Sequence, residues 1–335
     1  MNTQIDLTAA LMDLQIKEGP YTGGFEIAPH GMLNWYFTNL GLANMVACLT
    51  VDNARALVLP YMKLYISKLK SNMTIDDVAF PRGRFDREYF VLQNSDSDDS
   101  YAATFFSLVY MYTLHTHDSE FVKDNFGVLV DMYMRNIVFN RKDSGLVRVF
   151  QFPRGESYDV AFLMDNCEVL KGISDLLRLA RCAGISSIDF ERGIFGVMDG
   201  IGAGLKKLYV KQNKAFKVAD GNSDALNKTF YPGCTSQVFM QLNGVTVQGL
   251  NAYWARGFSF LNKHAPGWET GGYDAYPWAC LGTVAALRGR TAQPQIQLKN
   301  IERLFINDRR FVTINELGFY SLTQQILAMR ANYRA

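Results

Sequence analysis

The chain has 335 residues, 48% of them apolar and 20% charged, with a formal net charge of +2. That length and apolar content allow one large or two medium domains with a sizeable core. The near-neutral balance, with no long run of one sign, argues against a nucleic-acid partner or a strongly electrostatic one. No apolar run is long enough to span a membrane, so no membrane partner is expected. The five cysteines, Cys48, Cys167, Cys182, Cys234 and Cys280, are scattered and form no CxxC. They read as small buried hydrophobes. Residues 1–17 lack a basic n-region and a continuous apolar stretch. The expected location is therefore cytoplasmic, or exported if a leader has been removed. Oligomeric state is not legible.

In chain order, residues 4–17 read as a short leading helix, followed by a loop rich in breakers from Glu18 to Gly31. A nearly all-apolar helix runs from about Met32 to Leu49 and is expected to be buried. An amphipathic helix covers about Ala54 to Ser71, and residues 72–93 read as irregular or strand-like. The segment Asn94-Ser95-Asp96-Ser97-Asp98-Asp99-Ser100-Tyr101 then leads into an apolar helix in which Phe105, Leu108, Val109 and Tyr112 recur at helical spacing. Serines and aspartates suit a helix N-terminus, where their oxygens accept bonds from unpaired N–H groups. Acid also suits the positive end of the helix dipole. One carboxylate would serve as a cap, and here there are three.

An amphipathic helix follows at about 119–139. Residues 140–163 read as a β-hairpin, with Leu146-Val147-Arg148-Val149-Phe150 as one strand. Helices are expected from Met164 to about Ala183 and from about Ser187 to Val210. In the second, Gly193, Gly196, Gly200, Gly202 and Gly204 suit close packing. Further helices start near Cys234, cover about Val247 to Asn262, and run from Trp278 to Leu287 after an aromatic loop, His264 to Pro277. Helices near 296–307 and 315–332 close the chain. No linker or low-complexity segment interrupts 1–335, so a single domain is expected.

The starts of four apolar helices, near 32, 98, 164 and 234, lie roughly 65 residues apart, a period that suits an array of helical hairpins. Each start carries acids or aromatics. Glu26, His30, Trp35 and Tyr36 precede or open the first, and Arg154, Glu156, Tyr158, Asp159 and Asp165 the third. Tyr231 stands before the fourth. Trp268, Tyr273, Asp274 and Tyr276 stand before the helix that opens at Trp278. The apolar helices would form an inner ring and the amphipathic ones an outer ring, with polar loop residues converging on one mouth. Carboxylates ringed by Trp and Tyr suit carbohydrate, because aromatic faces pack on the C–H faces of sugars. Glycosidic cleavage also needs two acids, one to protonate the leaving oxygen and one to activate water or attack.

The segment Asp96 to Ala102 resembles the acidic start of an inner helix in unsaturated glucuronyl hydrolases, and the Asp-rich motif of cellulase- and chitosanase-type enzymes. Met164-Asp165-Asn166, leading to Leu170, is similar to the motif that opens another inner helix in the glucuronyl hydrolases. The resemblance is to the six-hairpin glycosidase superfamily. It implies an all-α (α/α)6 toroid with short β-hairpin insertions that cleaves an oligo- or polysaccharide. Asp98 or Asp99 would act with Asp165. Glu26, Trp35, Tyr36, Arg154, Tyr158, Tyr231, Trp268, Tyr273, Asp274 and Trp278 are the expected substrate contacts. The Glu-Gly-Gln run of the cellulase-type enzymes is absent; Lys17-Glu18-Gly19-Pro20 departs from it. No cofactor is expected. The four histidines, His30, His115, His117 and His264, are too dispersed for a metal site. Two other readings stand beside hydrolysis. One is a polysaccharide lyase on the same fold using Tyr158, Tyr231, His30 and Arg154, and the other a toroid that binds glycan or protein without turnover.

Overall fold

The computed structural model describes residues 4–152, 154, 159–221, 227–245 and 249–332. Among these, twelve α-helices alternate between two rings. The inner helices are α2 (Trp35–Met45), α4 (Asp99–Thr116), α6 (Leu163–Cys182), α8 (Phe239–Leu242), α10 (Ala279–Leu287) and α12 (Ile314–Asn332). The outer ones are α1 (Leu7–Leu14), α3 (Val51–Lys68), α5 (Glu120–Tyr133), α7 (Ile188–Lys207), α9 (Trp254–His264) and α11 (Ala292–Asn307). The inner helices pack in the order α2–α4–α6–α8–α10–α12, and α12 closes back on α2.

Composition explains which ring each helix joins. α4 buries most of its residues, from Asp99 to Val109 without a break. α7 instead buries one stripe, Ile194, Val197, Ile201 and Leu205, and leaves charge on the other face. Small residues set the closest approaches. Gly172 of α6 lies against the backbone of Ala103 in α4, and Gly41 of α2 against Ile314 and Gly318 of α12. In α7 only part of the glycine run is used in this way. Gly204 packs on Leu146, whereas Gly193 and Gly196 face open space.

The fourth inner position departs from a regular helix. It winds through irregular turns at Phe230–Cys234 and Ser236–Val238 before the single turn of α8. Pro232 and Gly233 open this stretch and Gly244 follows it, which keeps it short. The predicted helix at 247–262 is observed as α9, starting later at Trp254.

Two short antiparallel pairs decorate the toroid, β1 (Asp77–Ala79) with β2 (Val91–Gln93) and β3 (Tyr209–Val210) with β4 (Ala215–Phe216). The hairpin expected at 140–163 does not form a ladder among the described residues. Side-chain amides replace a partner strand there. Asn166 accepts from Val147 N–H at 2.8 Å and donates to its carbonyl at 3.1 Å, and Asn140 donates to the Arg148 carbonyl. What remains of the hairpin is the Arg141–Val147 bridge, the flanking bonds from Lys142 N–H to the Leu146 carbonyl and from Arg148 N–H to the Asn140 carbonyl, and the bond from Val149 N–H to the Val160 carbonyl.

All five cysteines are free thiols. Cys167, Cys234 and Cys280 are buried as expected, but Cys48 and Cys182 are exposed. Among the described residues no helix is long and apolar enough to cross a membrane.

Candidate active site

A cavity of about 570 Å³ opens where the inner helices begin. Every inner helix contributes to its wall from its first turns or the loop before it. These residues are Tyr36, Phe37 and Leu40 from α2, Asp96, Ser97 and Ser100 from α4, and Phe162, Met164, Asp165 and Glu168 from α6, with Val149 and Val218 from loops beside them. Tyr231, Pro232 and Phe239 come from the α8 region, Asp274, Tyr276, Trp278 and Cys280 from α10, and Thr313, Asn315, Glu316 and Phe319 from α12. Inner-helix N-termini therefore gather at one mouth.

Buried polar contacts fix the positions of these helix starts. Asn34 caps α2 by accepting from Phe37 N–H at 2.9 Å. Its amide donates to Asp77, which also accepts from Tyr101 O–H at 2.8 Å and Trp35 N–H at 3.2 Å. Asp77 thus ties α2 to α4. Burial pushes its carboxyl up to about 7, against the lowering effect of those bonds. The strip 147–151 laces α4 to α6: Asp98 N–H donates to the Val149 carbonyl, and Asn166 of α6 holds Val147.

Asp165 and Glu168 stand three residues apart, on one face of α6. Asp165 is half-buried, and burial followed by the neighbouring Asp96 raises its carboxyl to about 7. Glu168 is buried. Burial and the charge of Asp165 push it up to about 8, although Tyr36 O–H donates to its Oε1 at 2.6 Å. On the opposite side of the ring, Glu316 of α12 is buried and accepts from Ala279 N–H, at the start of α10, at 2.5 Å. Burial raises it to about 7 while that helix N-terminus opposes the rise. Asp274 accepts from Trp278 Nε1–H at 2.9 Å and from Tyr276 N–H at 3.3 Å. Trp278 itself sits in the left-handed region, φ 52°, with its carbonyl bound by Gln297 at 2.9 Å. A bulky residue rarely adopts that conformation. It brings the indole beside Tyr231, ring centroids 5.0 Å apart.

Of the residues singled out from the sequence, the fold brings Asp165, Tyr36, Tyr231, Asp274 and Trp278 to this cavity. Others lie elsewhere, each for a visible reason. Asp98 points away from the cavity wall into an ion pair with Arg154, and its Oδ2 accepts from Gln151 N–H at 2.9 Å. Arg154 is engaged there and by Ser95. Asp99 is fully buried behind the wall: Oδ1 accepts from Ser100 N–H and Oδ2 has no partner. Burial, then the charge of Asp165, pushes its carboxyl far up.

Glu26 is buried between Arg84 and Arg87 and accepts from His30 N–H. Trp35 and Trp268 are core residues. Their indoles donate to the Asp76 carbonyl at 2.7 Å and to Asn262 at 3.3 Å respectively. Tyr273 stacks on Phe230 and donates to the Pro266 carbonyl, off the cavity wall. Tyr158 lies outside the described residues. Asp96, Glu168 and Glu316 were not singled out as site residues from the sequence. Glu168 and Glu316 look like ordinary helix acids, and the only signal for them is their place near the start of an inner helix.

A second, shallower groove of about 650 Å³ lies between α9 and the α10–α11 turn, against Phe258, Asn262 and Arg290. It has no carboxylate and is remote from the helix starts. Among the described residues no group of three His, Cys, Asp or Glu side chains is placed to hold a metal ion.

No protein-family model matches the chain, and no curated protein sequence does. Solved structures do match its fold. It is similar to a rhamnosidase from Klebsiella oxytoca with rhamnose bound, at 12% identity and a TM-score of 0.65, over 97% of this chain and 64% of that one. It therefore spans just under two thirds of the rhamnosidase. It is also similar to a wild-type glycosidase, at 14% identity and a TM-score of 0.64, over 96% of this chain and 95% of the other. A third match is a mannosylglycerate hydrolase from Thermus thermophilus in complex with glucose, at 13% identity and a TM-score of 0.61, over 96% and 98%. These matches share the (α/α)6 toroid with this chain.

Proposed function

We propose that the chain is a glycoside hydrolase that uses Asp165 as proton donor and Glu316 as the opposing carboxylate. The observation that carries this is their placement. Both line one cavity, and α6 and α12 stand three positions apart in a ring of six, on opposite walls. A glycosidic bond held between them would meet an acid on one side and a base or nucleophile on the other. Asp165, raised to about 7, keeps its proton near neutrality and can give it to the leaving oxygen. Glu316 faces the N-terminus of α10, which favours its ionised form as charge develops on the sugar. Tyr231 and Trp278 supply aromatic faces at the mouth, and Asp96 and Glu168 supply acceptors for hydroxyls.

The sugar-binding toroids with solved structures support a carbohydrate substrate by likeness of fold. Elimination fits less well. A lyase needs a cation to neutralise the uronate carboxyl, and among the described residues no Lys, Arg or His lines the cavity. Arg154, the expected candidate, is held by Asp98.

A panel of 4-nitrophenyl glycosides and short glycans tests the reading, with wild type, Asp165→Asn and Glu316→Gln compared. Release of nitrophenol or reducing sugar by wild type, and its loss in both variants with the fold intact by circular dichroism, is expected. Full activity in either variant removes that residue from the mechanism. Unsaturated products absorbing in the ultraviolet would replace hydrolysis by elimination.

A further inference from the structure

The net charge of +2 hides an uneven distribution. Between Asp199 and Asp220 the chain carries Lys206, Lys207, Lys211, Lys214 and Lys217 and no acid. Lys206 and Lys207 are exposed in the last turn of α7, where cations suit the negative end of the helix dipole. Lys211 and Lys214 have no such local reason. They bound the turn that joins β3 to β4, and both are exposed. Lys214 is in the left-handed region, φ 54°, which lysine rarely adopts and asparagine or glycine fills at less cost. Among the described residues these four lysines form no ion pair, and Asp220, the next acid along the chain, is held by Lys142 at 2.7 Å. Arg256, at the start of α9, adds a further positive charge beside them. It donates to Tyr209 Oη on β3 and lies 5.2 Å from the centre of the Tyr253 ring.

This basic turn stands beside the cavity. Past β4 the chain reaches Val218, which lines the wall and accepts from Leu163 N–H, at the start of α6, at 2.8 Å. Lys214 is four residues away, so the two backbones cannot be more than about 14 Å apart. The wall itself carries Asp96, Asp165, Glu168, Asp274 and Glu316, and no cation among the described residues. An acidic cavity is therefore flanked on its α6 side by a basic rim.

We infer that the rim binds an acidic glycan, and that the unit cleaved in the cavity is an uncharged sugar carried by that chain. This rests on the glycosidase reading above and extends it to the substrate class. A carboxylate inside the cavity would meet acids alone, whereas outside it the lysines attract one. Other polyanions fit this surface less well. The exposed side chains of the turn are Lys211, Gln212, Asn213 and Lys214. None is an aromatic ring to stack on a base or an apolar group to enter a bilayer. Tyr209 packs on Tyr253, and Phe216 is buried.

Affinity electrophoresis and calorimetry with polygalacturonate test the inference, with dextran as the neutral control. Polygalacturonate should bind and dextran should not, and the affinity should fall about ten-fold or more between about 50 and 200 mM NaCl. The double variant Lys211→Glu/Lys214→Glu should bind at least ten-fold more weakly with circular dichroism unchanged. Lys214→Asn, which tolerates the left-handed turn, should bind several-fold more weakly with no loss of Tm. Lys63→Glu/Lys123→Glu makes the same change of net charge at exposed positions of α3 and α5 and should bind as wild type does. An equal loss in both double variants, or none in the rim variant, overturns the inference. So does tighter binding of duplex DNA or phosphatidylserine vesicles than of polygalacturonate, or cleavage of a 4-nitrophenyl uronide. Cleavage of neutral nitrophenyl glycosides without lysine-dependent polygalacturonate binding sinks the rim and leaves the hydrolase reading. Lysine-dependent binding with no glycoside cleaved keeps the rim as a glycan-binding surface and sinks the hydrolase reading.

Discussion

Replacing Gly172 by alanine sets helix propensity against packing. By propensity alone the change stabilises an interior helix position by about 1 kcal/mol. In the toroid the added Cβ would stand 2.4 Å from the Ala103 carbonyl oxygen and 2.6 Å from its Cα. Those are backbone atoms and cannot swing aside, so α4 and α6 must separate by about 1 Å to restore van der Waals contact. Overpacking costs about 1–3 kcal/mol, and a clash with backbone belongs at the upper end, about 2–3 kcal/mol. The net expectation is destabilisation by about 1–2 kcal/mol. With an unfolding entropy of about 2.1 cal/mol/K per residue, that lowers Tm by about 1–3 °C for a chain of this length. α4 and α6 carry Asp96, Ser100, Asp165 and Glu168, so the same separation displaces the acids. A misplacement of about 1 Å can cost about 100-fold in rate. The control is Gly193→Ala in α7, where the new methyl meets nothing within 4 Å. Only propensity acts there, and a gain of about 1 kcal/mol is expected. Denaturant melts and calorimetry on the two variants read the effect. A Gly172→Ala protein as stable as wild type, with full activity, would refute the claim that this crossing sets the α4–α6 distance.

Other outcomes follow from the same structure. Asp165→Asn and Glu316→Gln should each lower kcat by about 100- to 10,000-fold, with unfolding transitions retained in circular dichroism. Asp165 must keep its proton and Glu316 must be ionised, and both are raised to about 7, so the pH–rate profile should be bell-shaped, falling on either side of about 7. Asp77, Asp165, Glu168 and Glu316 have folded values raised to about 7 or 8. Their contribution to stability is full below the ordinary carboxylate range, near pH 4, and is lost as pH rises through 7 to 8. Glu168→Gln can still accept from Tyr36, so it should flatten the fall of Tm between pH 5 and 8; an unchanged slope would contradict the assignment. Arg154→Met leaves Asp98 charged in a buried site and should destabilise by about 3 kcal/mol. Adding Asp98→Asn should recover part of that loss in a double-mutant cycle.

The inner ring was legible because its helices begin after breaker-rich loops and are apolar on most faces, as at Asn34–Trp35, Asp98–Asp99 and Phe162–Leu163. α12 was harder to recognise as an inner helix. The α10–α11–α12 hairpins are tight, and α12 starts only 35 residues after α10, well short of the longer spacing earlier in the chain. Residue type does not reveal which way a side chain points around a helix axis. Asp98, Asp99 and Ser100 are neighbours, yet one enters an ion pair, one turns into the core and one faces the cavity. The tryptophans teach the same lesson: Trp35 and Trp268 bury their rings in the core, while Trp278 reaches the mouth through an unusual backbone angle. The strand expected at 146–150 pairs only briefly, by one bridge and two backbone bonds to 140–142, because asparagine side chains take up part of its backbone, which an alternating apolar segment does not reveal.

The most direct measurement is a crystal structure of Asp165→Asn soaked with a glycoside that the wild type cleaves. The account predicts the sugar ring inside the cavity at the inner-helix N-termini. The glycosidic oxygen should lie within hydrogen-bonding distance of residue 165, with Glu316 across the anomeric carbon. A sugar bound instead in the groove by α9 and Arg290, or seated in the cavity with its glycosidic bond turned away from both residues, would contradict it.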